Sequence, residues 1–247
     1  MKYRNLLKFF SLFVLSLFLS ETSIVLGEPM LDPSILNRNE SDEKIVYLTF
    51  DDGPSVNTEK ILDILKENDV HATFFIISPY IEPHNKIVER AFNEGNAVGN
   101  HTHDHEFKYI YVSEDAFWKN FNMQQDFIKT ITGEDCTIFR FPGGSANTLV
   151  RNAHGSEFTK NIIVQLNNKG IHCYDWNVDS GDAKGNNIPS SVILQNIQKE
   201  LVDKNGCKKN PAVVLMHDCM TKTTTVEALP SIIKYFKDEG YTFDTLK

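Results

Sequence analysis

Residues 44–54 read KIVYLTFDDGP, and this stretch sets the architecture expected of the whole chain. A lysine is followed by six residues that are aliphatic, aromatic or β-branched, the composition of a strand. Gly53-Pro54 ends that strand and turns the chain. Between strand and turn stand two adjacent carboxylates, Asp51 and Asp52. Side by side they repel each other and cost desolvation unless a cation or a proton offsets them. An ordinary Asp-Gly turn would account for the motif if it stood alone.

Outward from this strand, β-rich runs recur at 72–77, 97–101, 137–141, 171–178, 212–217 and 241–246. Amphipathic segments lie between them. Ile61, Leu62, Ile64 and Leu65 follow a cap at Asn57 or Thr58. Phe117, Phe121, Phe127, Ile128 and Ile131 recur at helical spacing, as do Val192, Ile193, Ile197 and Leu201, and then Ile232, Ile233 and Phe236. Seven strands separated by helices imply parallel βαβ units, either as a barrel of fewer than eight strands or as an open doubly wound sheet. Both architectures gather chemistry at the carboxyl ends of strands.

Those ends are where the polar residues fall. The third strand stops at His101-Thr102-His103-Asp104-His105. His101 and His105 are four apart, so one helical turn would put both imidazoles on one side; His103 competes through the i, i+2 spacing of a strand. Two neutral imidazoles with one carboxylate make a ligand set with open positions, suited to catalytic Zn²⁺ or another divalent first-row metal. The fourth strand ends in Arg140-Phe141-Pro142-Gly143-Gly144, a turn that would expose amide N–H groups to a developing oxyanion. The fifth supplies Asp175, Asp179 and Asp182, and the sixth ends in Leu215-Met216-His217-Asp218.

The start of the chain reads differently. Lys2, Arg4 and Lys8 precede an apolar run from Phe9 to Leu19, a secretory signal with cleavage expected after Gly27, or else an N-terminal membrane anchor. Residues 28–42, with Pro29 and Pro33, read as a linker, which leaves 43–247 as the catalytic domain. Cys136, Cys173, Cys207 and Cys219 show no CxxC spacing, and three pairings stay open beside buried free thiols. The formal charge of −8 argues against a protein that neutralises nucleic-acid phosphates.

TFDDGP (49–54), HTHDH (101–105), RFPGG (140–144), DSGD (179–182) and LMHD (215–218) occur in that order. This series resembles the five motifs of the polysaccharide deacetylases, the fourth family of carbohydrate esterases, with the NodB homology fold. The resemblance implies an α/β fold, a distorted (β/α) barrel with about seven parallel strands. It implies Asp51 as catalytic base, Asp52, His101 and His105 as ligands of one divalent metal ion (Zn²⁺ first, then Co²⁺, Mn²⁺ or Ni²⁺), and His217 as catalytic acid. Arg140 would pair with Asp51, and Asp179 would hold His217, with Asp175 and Asp182 as lesser candidates. Gly143 would supply the oxyanion donor and Leu215 a pocket for the acetyl methyl. Trp176 would stand in for an aromatic wall that many members carry where this chain has Ala183. The expected enzyme is a monomeric, extracytoplasmic N-deacetylase of an N-acetylated glycan, above all the N-acetylglucosamine of peptidoglycan. Rivals are muramic-acid, chitin-like or poly-N-acetylglucosamine deacetylation, acetylxylan ester cleavage and, in another class, an inactive glycan-binding domain. No nucleic acid is expected, and membrane attachment only through the N-terminal segment.

Overall fold

The computed structural model describes residues 43–78 and 83–247, so the export segment and linker read over 1–42 lie outside the described residues. Eight strands are found among the described residues: β1 (Lys44–Asp51), β2 (Thr73–Ile76), β3 (Ala97–Asn100), β4 (Ile138–Phe139), β5 (His172–Cys173), β6 (Val178–Asp179), β7 (Ala212–His217) and β8 (Tyr241–Phe243). With them go helices α1 (Val56–Glu67), α2 (Pro83–Asn93), α3 (Phe107–Ile110), α4 (Glu114–Thr132), α5 (Thr148–His154), α6 (Glu157–Asn168), α7 (Ser190–Glu200) and α8 (Thr223–Asp238). The strands pair in parallel in the order β5-β4-β3-β2-β1-β7-β6. β8 pairs with the opening residues of β1.

The two edges of this seven-strand path, β5 and β6, are consecutive in sequence and joined only by residues 174–177. Six strand spacings of about 4.8 Å would put the edges of a flat sheet roughly 29 Å apart, whereas four linking residues span at most about 18 Å. The sheet must therefore curl, and it forms a half-barrel with helices outside. This corrects the expectation of one strand over 171–178. Its β-rich composition is continuous, but the chain leaves one edge at Cys173 and rejoins the other at Val178.

Ser55, rather than Asn57 or Thr58, caps α1. Its hydroxyl accepts from the Asn57 N–H (3.0 Å), and the Thr58 hydroxyl accepts from the Ser55 N–H (2.8 Å), a reciprocal cap set up where the Gly53-Pro54 turn delivers the chain. α4 and α8 form on the expected apolar faces, whereas α7 buries Ile193 and Ile197 but leaves Val192 exposed; α2, α5 and α6 carry no face named in the sequence reading. Buried aliphatic and aromatic residues of β1, β2 and β7 pack against α1 and α8 in the larger core. A second cluster surrounds Phe117, Phe121, Phe139 and Phe141, with Phe139 and Phe141 edge-on at 4.8 Å. All four cysteines are free thiols, with Cys136 and Cys173 buried. Among the described residues no helix is long and apolar enough to cross a membrane.

Candidate active site

β1 and β7 run side by side with Asp51 in register with His217. Parallel register puts residues of matching pleat on the same face. Thr49 and Leu215, one pleat earlier, lie on that interior face as well. Leu215 is buried.

Asp52 would face away from Asp51 in a continuing strand, because successive side chains alternate. It does not, since its φ of 72° lies in the left-handed region and breaks the alternation. Asp52 Oδ1 then lies 3.5 Å from His101 Nε2 and 3.4 Å from His105 Nε2. These three residues form a cluster of ligand atoms within 4.8 Å of one another.

His101 and His105 meet without a helix. The 101–105 segment is a loop, and α3 starts only at Phe107. Thr102 (φ 68°) and His105 (φ 56°) bend the loop so that both rings converge, their centroids 5.1 Å apart. Buried amides hold this shape. Asn100 accepts from the Thr102 N–H (2.8 Å) and donates to the Phe121 carbonyl (3.1 Å) and Gln125 (2.9 Å). Asn120 accepts from the His103 N–H (2.6 Å) and donates to Asp104 (3.0 Å). His103, the competing ligand, is not in the cluster.

The donor chemistry of the cluster fits a divalent cation. His101 Nδ1 sits 2.8 Å from the Arg140 carbonyl, which can only accept, so Nδ1 carries the hydrogen and Nε2 presents its lone pair. Burial, aided by His105, pushes His101 down to about 3, which keeps the ring neutral as a ligand must be. Asp52 Oδ1 is buried without a hydrogen-bond partner, a costly state that a cation would relieve.

Arg140 is fully buried. Its guanidinium donates to Asp51 Oδ1 (2.8 Å), the Thr49 hydroxyl (2.7 Å) and the carbonyls of Tyr174 (2.9 Å) and Asp175 (3.0 Å), and it lies over the Phe75 ring at 4.2 Å. The expected Arg140–Asp51 pair is therefore present. Trp176 is half-buried, 5.7 Å from the guanidinium and against Gly144, where an added Cβ would come within 3.0 Å of its ring. Gly143 is exposed with φ of 76°.

The carboxylate on His217 is Asp182, and this corrects the choice of Asp179. Asp182 Oδ1 lies 2.8 Å from His217 Nδ1, and Oδ2 accepts from the His217 N–H (2.8 Å) and the Thr225 hydroxyl (2.9 Å). Asp179 Oδ1 instead accepts from the Gly181 N–H (2.7 Å), closing the turn that carries Asp182 toward β7. Asp175 accepts from Ser145. Burial opposes charge on His217, yet the hydrogen bond and charge of Asp182, reinforced by Asp51 and Asp52, raise it to about 9. Asp218 was not singled out by its residue type. Burial, with Asp52 and Asp51 nearby, raises it to about 7, while the Thr58 hydroxyl donates to it at 2.5 Å. Gly53 packs so closely on this carboxyl that a Cβ would meet Asp218 Oδ2 at 2.2 Å.

A base candidate, an acid candidate and a three-donor cation cluster thus share one cleft at the strand ends. A family model described as polysaccharide deacetylase matches residues 38–161. The YheN protein of Bacillus subtilis strain 168 is 34% identical over 219 residues, covering 88% of this chain and 72% of its own. A peptidoglycan-N-acetylglucosamine deacetylase of Bacillus cereus is 32% identical over 206 residues, 83% of this chain and 70% of that one. The crystal structure of the catalytic domain of a peptidoglycan N-acetylglucosamine deacetylase from Eubacterium rectale superposes with a TM-score of 0.74 at 32% identity. It covers 87% of this chain and 94% of that domain.

Proposed function

The chain belongs to the polysaccharide deacetylase family, hydrolases acting on amide bonds of polysaccharides, and we propose that it removes N-acetyl groups from the N-acetylglucosamine of peptidoglycan with one divalent metal ion, Zn²⁺ first. The observation that carries this reading is the placement of Asp51 and His217 in register on β1 and β7, beside the Asp52–His101–His105 cluster. Asp52, His101 and His105 would hold the metal, which when bound lowers the pKa of a water and polarises the acetamide carbonyl.

The rest follows from the chain's own residues. Asp51 takes a proton from the attacking water, held in place by Arg140. His217 gives its proton to the departing sugar amine, since an amine anion is a very poor leaving group. Asp182 fixes His217 Nδ1, which leaves Nε2 as the donating atom. The Gly143 amide would face the tetrahedral oxyanion, and Leu215 would receive the acetyl methyl. Such a substrate puts the enzyme outside the cytoplasm, at the wall.

Incubation of residues 28–247 with peptidoglycan, chitooligosaccharide and acetylxylan, with and without Zn²⁺, tests this by following acetate and free amine. Acetate and amine from peptidoglycan are expected. Acetate without amine would show ester cleavage instead, and no acetate from any of the three would refute the reading.

A further inference from the structure

Asp218 follows His217 directly after β7, and its carboxyl has no part in the chemistry above. It is 1% exposed, and its Oδ1 is buried without a hydrogen-bond partner. A carboxyl in that state costs free energy that an apolar side chain would not, so its presence calls for a reason. The reason lies in what it touches. Its N–H donates to the Asp51 carbonyl (3.1 Å), its carbonyl accepts from the Ser55 hydroxyl (2.5 Å), and its Oδ2 accepts from the Thr58 hydroxyl (2.5 Å). A Cβ on Gly53 would come within 2.2 Å of Oδ2, 2.5 Å of Oδ1 and 2.6 Å of Cγ, so the carboxyl lies against the bare Cα of that glycine. One residue thus grips the chain on both sides of Asp52.

We infer that Asp218 is a positioning residue for Asp52, holding the turn that aims Asp52 Oδ1 at His101 and His105. The inference rests on the metal-dependent reading proposed above. Asp52 keeps a φ of 72°, a strained conformation that persists only where its surroundings fix it. On the β2 side, the Asp52 N–H donates to the Phe75 carbonyl (3.3 Å) and the Gly53 carbonyl accepts from the Ile77 N–H (2.9 Å). Asp218 closes the other side, because β7 flanks β1 opposite β2. Thr58 aims the carboxyl, and its hydroxyl also accepts from the Ser55 N–H (2.8 Å) in the cap of α1. Gly53 itself lies outside the left-handed region, so the neighbouring carboxyl, and not the backbone, is what demands a glycine there.

Calorimetric titration with Zn²⁺, without any glycan, compares wild type with Asp218→Asn, Asp218→Ala, Gly53→Ala and Gly53→Ala/Asp218→Ala. Asp218→Asn keeps the volume and an oxygen for Thr58, so affinity close to that of wild type is expected. Asp218→Ala should lose about tenfold, with a shifted visible spectrum when Co²⁺ is bound in place of Zn²⁺. Gly53→Ala should lose at least as much. The double variant should bind no more weakly than Gly53→Ala, because the added Cβ then has room. Losses that multiply in full in the double variant overturn the role. So does Asp218→Ala with a lowered urea midpoint but wild-type affinity and Co²⁺ spectrum, since the residue would then only stabilise the fold. If Asp218→Ala does not fold, Thr58→Val carries the test by removing the hydroxyl that aims the carboxyl: weaker Zn²⁺ binding supports the role and wild-type affinity overturns it. A wild type that binds no Zn²⁺ overturns the metal reading and this role together. Tight Zn²⁺ binding that depends on Asp218, without acetate release, leaves the role standing and defeats the deacetylase activity instead.

Discussion

Both oxygens of Asp182 are engaged by His217 or by Thr225, so the imidazole has one tautomer and one orientation. That arrangement predicts a pH dependence. His217 is raised from 6.5 to about 9, so the acid stays loaded at neutral pH and kcat/KM should fall as pH rises through about 9. In Asp182→Asn the alkaline limb should move toward 6.5, with kcat down by about 10²-fold or more. Asp179→Asn, which loosens only a turn, should leave that limb in place. A raised folded-state value also means that protonation favours the native state. The contribution is complete below about 6.5 and lost as pH rises through about 9, so urea midpoints should decline across that window in wild type and stay flatter in Asp182→Asn. Asp51 lies outside the ligand cluster, so Asp51→Asn should nearly abolish turnover while metal content, read by elemental analysis, stays that of wild type. Loss of metal in that variant would mean that the two aspartates exchange roles.

At the scale of elements, the 101–105 loop converts a strand end into a ligand pair by holding Thr102 and His105 in the left-handed region, at about 1–3 kcal/mol each. Asn100 supports that strain through three hydrogen bonds. Asn100→Ala should therefore lower stability by about 1–3 kcal/mol through the partners it orphans. It should also weaken Zn²⁺ binding by about 10–100-fold, read by calorimetry without any glycan present. Unchanged affinity would show that the loop keeps its shape unaided. Such loops set the limit of what was legible in the sequence. Strands β1 and β7 were readable almost to the residue, because their apolar runs end abruptly in Asp51 and His217. The nearness of His101 to His105 was readable from type and spacing, but its cause was not, since the φ angles that create it depend on side-chain amides of β3 and α4. Asp182 was passed over for Asp179 for a similar reason. Asp179 ends β6 and Asp182 follows three residues later, and the turn closed by the Gly181 N–H decides which carboxylate reaches β7.

For the molecule as a whole, the half-barrel is held along its seam by one buried cation. Residues 174–177 connect the two sheet edges, and the carbonyls of Tyr174 and Asp175 in that link accept from Arg140, whose other donors reach Thr49 and Asp51 on the central strand. Arg140→Met would leave two buried carbonyls and one buried carboxylate without this donor, a loss of about 3–5 kcal/mol, large against the roughly 5–15 kcal/mol of a typical fold. Arg140→Lys keeps the charge but cannot point donors toward both β1 and the seam at once, so it should fall between Met and wild type. Adding Asp51→Asn to Arg140→Met should restore part of the loss, because the stranded carboxylate is gone while the seam stays unbonded. Urea denaturation of the four proteins measures each step. Full recovery in the double variant would show that Arg140 serves Asp51 alone. Partial recovery assigns the remainder to the seam, where the carbonyls of Tyr174 and Asp175 lose the Arg140 donors.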